Sequence, residues 1–159
     1  MAATSTQADQ PKAQVQADAY AGAVGGAQAT LPAPDLPYRP RNPQHYRPGI
    51  GLIGCGGITA HHLTAYRAAG YNVVALCDKN AERAEERRAA FYPDAAVYTD
   101  YRDLLRREDV EVVDIATHPP ERVALIEAAL SARKHILSQK PFVIDLDTGE
   151  RLCELAAKQ

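Results

Sequence analysis

The sequence predicts an α/β fold, a doubly wound parallel sheet with helices on both faces. Three observations carry that expectation. From Gly49 onward, short apolar runs alternate with amphipathic stretches, the signature of strands followed by helices. The first run leads directly into a glycine-rich turn, Gly54-Cys55-Gly56-Gly57. The runs are also too closely interleaved with helical segments for hairpins, and parallel strands need such helical crossovers.

The elements follow in order. Ile50 to Ile53 is short, apolar and stopped by glycine, so it reads as a strand. Ile58 to Ala69 reads as a helix closed by Gly70 at its C-terminal cap. Val73 to Cys77 is a β-rich run, followed by a charged helix from Asn80 to about Phe91 that Pro93 ends. Ala96 to Tyr98 is a short strand. Asp100 then caps a helical turn in which Asp103 suits the positive end of the helix. Val110 to Ala116 is the next strand, Pro119 to Ala132 a long helix, His135 to Ser138 a strand and Asp147 to Lys158 a last helix.

Residues 1–48 are of a different kind. They are rich in Ala, Gln and Pro, with almost no large aliphatic side chains. Such a segment buries too little apolar surface to offset its ordering entropy, so a disordered tail is expected there, with the domain occupying 49–159. The end of the tail, from Leu36 to Pro48, is punctuated by Pro and Tyr and reads as a passive linker, with an extended course over the domain as the alternative. The tail has neither the basic start nor the continuous apolar core of a signal peptide.

Charge and composition remove several function classes. The 159 residues carry a formal net charge of −2, without the basic excess that nucleic-acid binding by counterion release requires. The basic residues are interleaved with acids, as in Glu82-Arg83-Ala84-Glu85-Glu86-Arg87-Arg88, which reads as a solvated helix face. No apolar stretch approaches the ~18 residues of a membrane span. The 3 cysteines, Cys55, Cys77 and Cys153, have neither zinc-site nor disulfide-framework spacing. A reducing, cytoplasmic setting is the simplest expectation.

The glycine-rich turn carries the chemistry. Directly after a strand and opening a helix, Gly54 permits the tight turn and Gly56 lets the backbone approach a pyrophosphate with no Cβ in the way. The amides and positive helix end at Gly57, Ile58 and Thr59 then face the anion. The third position of this Rossmann-type fingerprint, normally Gly or Ala, is Thr59, whose hydroxyl is a further candidate phosphate contact. Asp78, about 24 residues after Gly54 at the end of the second strand, is placed to accept from the adenosine ribose hydroxyls. Its charge favours NAD; the adjacent Lys79 keeps NADP open. At the carboxyl edge of the sheet, where ligands bind in such folds, lie Ala116-Thr117-His118-Pro119-Pro120 and Ser138-Gln139-Lys140-Pro141. Lys140, fixed by a following Pro, is placed to donate to a substrate oxygen or the nicotinamide ribose; by composition alone it reads more often as an ordinary surface lysine.

Other candidates read more plainly. His61 and His62 lack a third ligand at metal spacing, so packing or solvent roles are expected for them, with one of the two near the pyrophosphate as an alternative. Tyr66 and Tyr71 read as core or interface residues. Cys55 reads as a small turn filler, with a reactive thiol near a helix N-terminus as the alternative.

Three runs together, Gly51 to Ile58, Val74 to Asp78, and Ala128 to Pro141, resemble the N-terminal domain of the glucose–fructose oxidoreductase, inositol dehydrogenase and MocA family. The resemblance extends from about Gly49 to the last residue. It implies a nicotinamide dinucleotide cofactor and a sugar, cyclitol or related carbinol as substrate. It also implies that Lys140 lies at the nicotinamide, that Gln139 belongs to the same site, and that Thr117, His118 and Pro119 line the cofactor ribose. Three departures stand out. Gln139 replaces the Glu of the family's Glu-Lys-Pro, which changes the field at Lys140. Arg122 and Val123 occupy the region where members often carry a His, and His118 falls too early to match it. The family continues into a C-terminal α/β domain with the substrate pocket, whereas this sequence stops at Gln159. The expectation is therefore the cofactor-binding part of an oxidoreductase, truncated before that domain. A catalytically silent nucleotide-binding module is the alternative, and a Rossmann fold serving another adenine cofactor a weaker one. Homo-oligomer formation is expected only of a longer chain.

Overall fold

The computed structural model describes residues 41–159. The disordered tail expected over 1–48 lies outside the described residues up to residue 40. Residues 41–48 carry neither helix nor strand, yet they are fastened to the domain at two points. The Tyr46 hydroxyl donates to Glu111 Oε2 at 3.0 Å, and the Tyr71 hydroxyl donates to Asn42 Oδ1 at 3.1 Å.

Five strands and five helices alternate. They are β1 (Gly49–Ile53), α1 (Thr59–Ala68), β2 (Asn72–Cys77), α2 (Ala81–Phe91), β3 (Ala96–Tyr98), α3 (Tyr101–Leu105), β4 (Val112–Ile115), α4 (Pro119–Ser131), β5 (His135–Ser138) and α5 (Leu146–Ala157). Every strand pairing is parallel, and the strands lie in the order β3-β2-β1-β4-β5. The chain thus winds outward from β1 in one direction, crosses back, and winds out in the other. The loops after β1 and β4, neighbours in space but distant in sequence, consequently flank one crevice at the carboxyl edge.

The helix ends follow their local chemistry. Asn80 Oδ1 accepts from the amides of Glu82 and Arg83, Asp100 Oδ1 from Arg102 and Asp145 Oδ1 from Thr148, so α2, α3 and α5 each begin one residue after a side-chain cap. These amides hold the carboxyls of Asp100 and Asp145 below the usual carboxylate range. The C-cap of α1 is Ala69, and Gly70, at φ +69, stands one residue beyond the cap position the sequence predicts for it. Helix α1 differs at its other end: its cap is Ile58, with no side-chain hydrogen bond to the first-turn amides.

Period-two alternation, interrupted in β2 by a register shift against Ile50 and Gly51, splits the core into two layers. On one face Ile50, Leu52, Val73 and Leu76 pack against Leu63 of α1 and Ala84 of α2. On the other, Ile53, Ala75, Cys77, Val113 and Ile115 pack against α3, α4 and α5 through Leu104, Leu125 and Leu152. Full burial of each such aliphatic side chain contributes roughly 1.5–3 kcal/mol. Gly51 belongs to the second face because a Cβ there would lie 2.7 Å from Leu104 Cδ2. The alternation also fixes Asp114. Between Val113 and Ile115, which face α4, its side chain turns the other way and is fully buried toward α1.

Candidate functional site

The β1–α1 turn is shaped by backbone geometry. Gly54 sits at φ +94, and a Cβ there would lie 3.0 Å from the carbonyl carbon of Ala116. An L side chain would be both strained and in collision with the loop after β4. At Gly56 the situation is opposite: a Cβ would meet nothing within 4 Å. The open space on that side is what a phosphate group needs, and Gly56 lines the crevice. The amides of Gly57 and Ile58 have no acceptor among the described residues, so they remain available at the positive end of α1.

Thr59 corrects one expectation. It is fully buried, and its hydroxyl donates to Gly56 O at 2.6 Å. The candidate phosphate contact through that hydroxyl is replaced by a bond that closes the turn, because the side chain points into the protein. Arg87 of α2 braces the same carbonyl, with Nη2 donating to Gly56 O at 3.2 Å.

The crevice has a volume of about 530 Å³. Of the expected site residues, Gly54, Gly56, Asp78, Thr117 and His118 line it, joined by Lys79, Asn80, Arg83 and Glu121. Gly57, Ile58, Thr59, Pro119, Gln139 and Lys140 do not. Asp78 Oδ2 accepts from Cys55 N at 2.7 Å and Oδ1 from Asn80 N at 2.9 Å, so the acid holds the glycine turn and still faces the crevice. Each oxygen keeps a second lone pair for a ligand hydroxyl. Lys79 Nζ lies 2.6 Å from Glu121 Oε1 across the mouth, an exposed pair that joins the loop after β2 to the start of α4. Glu121 raises the Lys79 pKa. A dinucleotide fits these residues: an open cradle at Gly56, free amides behind it, and a carboxylate against the turn that also lines the crevice.

The second half of the site is built on two buried side chains, Asp114 and Arg122, with half-buried partners. Lys140 is exposed and joined to Pro141 by a cis peptide bond. Its amide donates to Gln139 Oε1 at 2.7 Å, and Gln139 Nε2 lies 3.0 Å from His62 Nε2. The opposite ring nitrogen, Nδ1, is 2.7 Å from Asp114 Oδ2, which also accepts from the Tyr66 hydroxyl at 2.8 Å. Burial and the neighbouring Asp114 carboxylate together raise the Tyr66 pKa. Asp114 Oδ1 has no partner among the described residues.

Arg122 anchors the same loops from the other face. Its side chain is 1% exposed, and its guanidinium donates to the carbonyls of Thr117, Gln139 and Pro141. One buried cation therefore clasps the loop after β4 to the loop after β5, and its burial lowers its pKa. The sequence reading missed Asp114, His62, Tyr66 and Arg122 as a set. A signal did exist: an acid inside the apolar run Val112-Val113-Asp114-Ile115, with His62 and Tyr66 four residues apart on one helix face.

Cys55 is buried, and desolvation, reinforced by Asp78, pushes its thiol up to about 12. That excludes a thiolate at neutral pH and leaves the turn-filling role. Among the described residues no three His, Cys, Asp or Glu side chains converge as a metal site, and no helix is long and apolar enough to cross a membrane.

The strand order, the Gly54–Gly56 turn and Asp78 at the crevice define a dinucleotide-binding Rossmann domain. Residues 49–159 match the model of the Gfo/Idh/MocA oxidoreductase family, NAD-binding Rossmann fold, and the chain belongs to that family. It is 34% identical over 110 residues to an inositol 2-dehydrogenase of Salmonella paratyphi B, covering 68% of this chain and 33% of that protein. It is 40% identical over 109 residues to a D-apiose dehydrogenase of Paraburkholderia graminis, covering 66% of this chain and 29% of that protein. Among solved structures, KijD10, a 3-ketoreductase from Actinomadura kijaniata in complex with TDP-benzene and NADP, superposes with a TM-score of 0.66 at 30% identity, over 71% of this chain and 36% of that one. The chain thus spans about a third of the length of these relatives.

Proposed function

We propose that this chain is the cofactor-binding part of an NAD(P)-dependent oxidoreductase that moves hydride to or from a carbinol carbon of a sugar, cyclitol or related compound. The observation that carries the reading is the open face of Gly56, beside the free amides of Gly57 and Ile58, in a crevice that Asp78 also lines. In this reading the turn holds the pyrophosphate, Asp78 the adenosine ribose, and Thr117, His118 and Pro119 the nicotinamide-side ribose. Bound there, the dinucleotide supplies or accepts the hydride.

The protein's own contribution is orientation and charge. Lys140, carried on a turn fixed from below by Gln139 and Arg122, donates from Nζ to the reacting substrate oxygen and stabilises the negative charge that develops on it. Gln139 serves the turn rather than the crevice. The Asp78 carboxylate favours NAD over NADP by repelling a 2′-phosphate, and Glu121 occupies the lysine nearest to it. The dehydrogenases and the ketoreductase named above support a polyol or sugar derivative as the substrate class. A reducing, cytoplasmic setting suits the buried, free thiols of Cys55 and Cys77.

Nucleotide-dependent thermal shift tests the reading. NAD(H) raises the melting temperature and NADP(H) raises it less at equal concentration. A folded chain that neither pair stabilises would overturn the cofactor assignment.

A further inference from the structure

The hydrogen bonds beneath the Lys140 turn have a fixed direction. At one end stands the Lys140 amide, which can only donate; at the other stands Asp114 Oδ2, which as a carboxylate oxygen can only accept. Gln139 must therefore turn Oε1 to the amide, which leaves Nε2 as the donor toward His62 Nε2 at 3.0 Å. An imidazole nitrogen that accepts carries no proton, so the ring proton lies on Nδ1 and is donated to Asp114 at 2.7 Å. The Tyr66 hydroxyl donates to the same oxygen, and the side chain of Asp114 is fully buried. The series runs unbroken from the fully buried side chain of β4 to the backbone nitrogen of an exposed lysine at the carboxyl edge.

We propose that His62 is a positioning residue for Lys140, held by Asp114 as the Nδ1–H tautomer so that Gln139 can fix the Lys140 backbone. The proposal rests on the reading that Lys140 serves the nicotinamide end of the site. A Glu at position 139, as in the motif this sequence resembles, has no proton to give His62 Nε2 and would require the ring to be protonated. Gln139 therefore makes the relay work with a neutral ring. The pH response follows. The groups facing His62 are Asp114 from β4, Tyr66 on its own helix and the uncharged Gln139 from the loop after β5; Arg122 of α4 holds the Gln139 carbonyl. A proton added at Nε2 places two donors face to face. The amide then rotates to offer Oε1 to the ring and withdraws it from Lys140 N. Acidification thus loosens the turn in the natural protein, whereas in Gln139→Glu the protonated ring is the binding partner and loss of the proton loosens it.

The experiment has two arms on the full 159-residue chain. Nitrogen-15 spectra of the neutral ring read the tautomer without any nucleotide: the proposal predicts a protonated Nδ1 and a bare Nε2, and a proton on Nε2 would overturn it. The second arm compares NADH with ADP-ribose, which lacks the nicotinamide. His62→Ala should weaken NADH by about tenfold, the scale of one lost hydrogen bond, and leave ADP-ribose unchanged. Gln139→Glu should reverse the sign of the pH dependence of NADH affinity. Equal loss of both ligands in His62→Ala, or an unreversed pH profile, would reduce His62 to structural support and overturn the proposal. Should the wild-type chain bind neither ligand, the cofactor reading fails and takes the purpose of the relay with it, while the spectra still decide whether the tautomer is as stated.

Discussion

The two ends of the site are made by different means. At the proposed adenosine end the working parts are backbone: a glycine at positive φ, a glycine facing open space, uncapped amides, and one acid whose oxygens hold the turn. At the Lys140 end they are buried and half-buried side chains from distant elements, with Asp114, His62 and Gln139 joined in series and Arg122 clasping two loops. The difference is one of tolerance. A backbone site depends on which residues lack a Cβ, so it fails by steric intrusion. A side-chain relay depends on donor and acceptor order, so it fails when one partner changes its proton.

The largest expected effect breaks the first end. Gly54→Val imposes a β-branched side chain on φ +94 and drives it into the Ala116 carbonyl, and should cost about 2–4 kcal/mol of stability. Urea unfolding checks it, and an unchanged midpoint would contradict the assigned geometry. Next is Arg122→Met, which removes the guanidinium from three part-buried carbonyls and should cost about 2 kcal/mol. Hydrogen exchange should quicken in the loops after β4 and β5 while the β1–α1 turn keeps its protection. If both ends loosen together, the division between them is wrong.

Gly56→Ala separates binding from folding. Its Cβ meets nothing in the protein, so stability should change by less than about 0.5 kcal/mol. The methyl instead occupies the phosphate cradle, and NADH affinity, measured by calorimetry, should fall by at least about tenfold. Equal loss of stability would mean the space is not a ligand space. The smallest effect belongs to Glu121→Gln. Releasing the exposed Lys79 should leave stability unaltered and raise the affinity for NADPH relative to NADH by a few-fold at low salt.

The contrast also explains what the sequence could disclose. Apolar periodicity and glycine punctuation placed all ten elements to within two residues or so, and caps such as Asn80 and Asp100 are local signals read over three positions. The glycine turn and its acid, the proposed adenosine end, were visible for the same reason: Gly54, Gly56 and Asp78 follow from turn geometry and strand ends. Thr59 misled because a hydroxyl beside a phosphate turn looks outward in sequence, while the start of α1 turns it inward to Gly56 O. At the proposed nicotinamide end the sequence singled out Lys140 and Gln139 but not what lies beneath them. Which residues meet beneath it depends on sheet order, since β4 lies beside β1 and Asp114 thereby faces α1. Arg122 follows Glu121 in the first turn of an otherwise apolar helix, where a charged pair suggests solvent, and only the fold shows three carbonyls converging on it. No window of sequence contains those contacts.

The most direct test of the two-ended account is a pair of amide chemical-shift maps of this chain, one with ADP-ribose and one with NADH. ADP-ribose should perturb Gly56, Gly57, Ile58 and Asp78 and leave Gln139 and Lys140 unmoved. NADH should perturb the same residues and add Thr117, His118, Gln139, Lys140 and the His62 ring. Two identical maps, with Lys140 silent in both, would contradict the assignment of the Lys-Pro turn to the nicotinamide end.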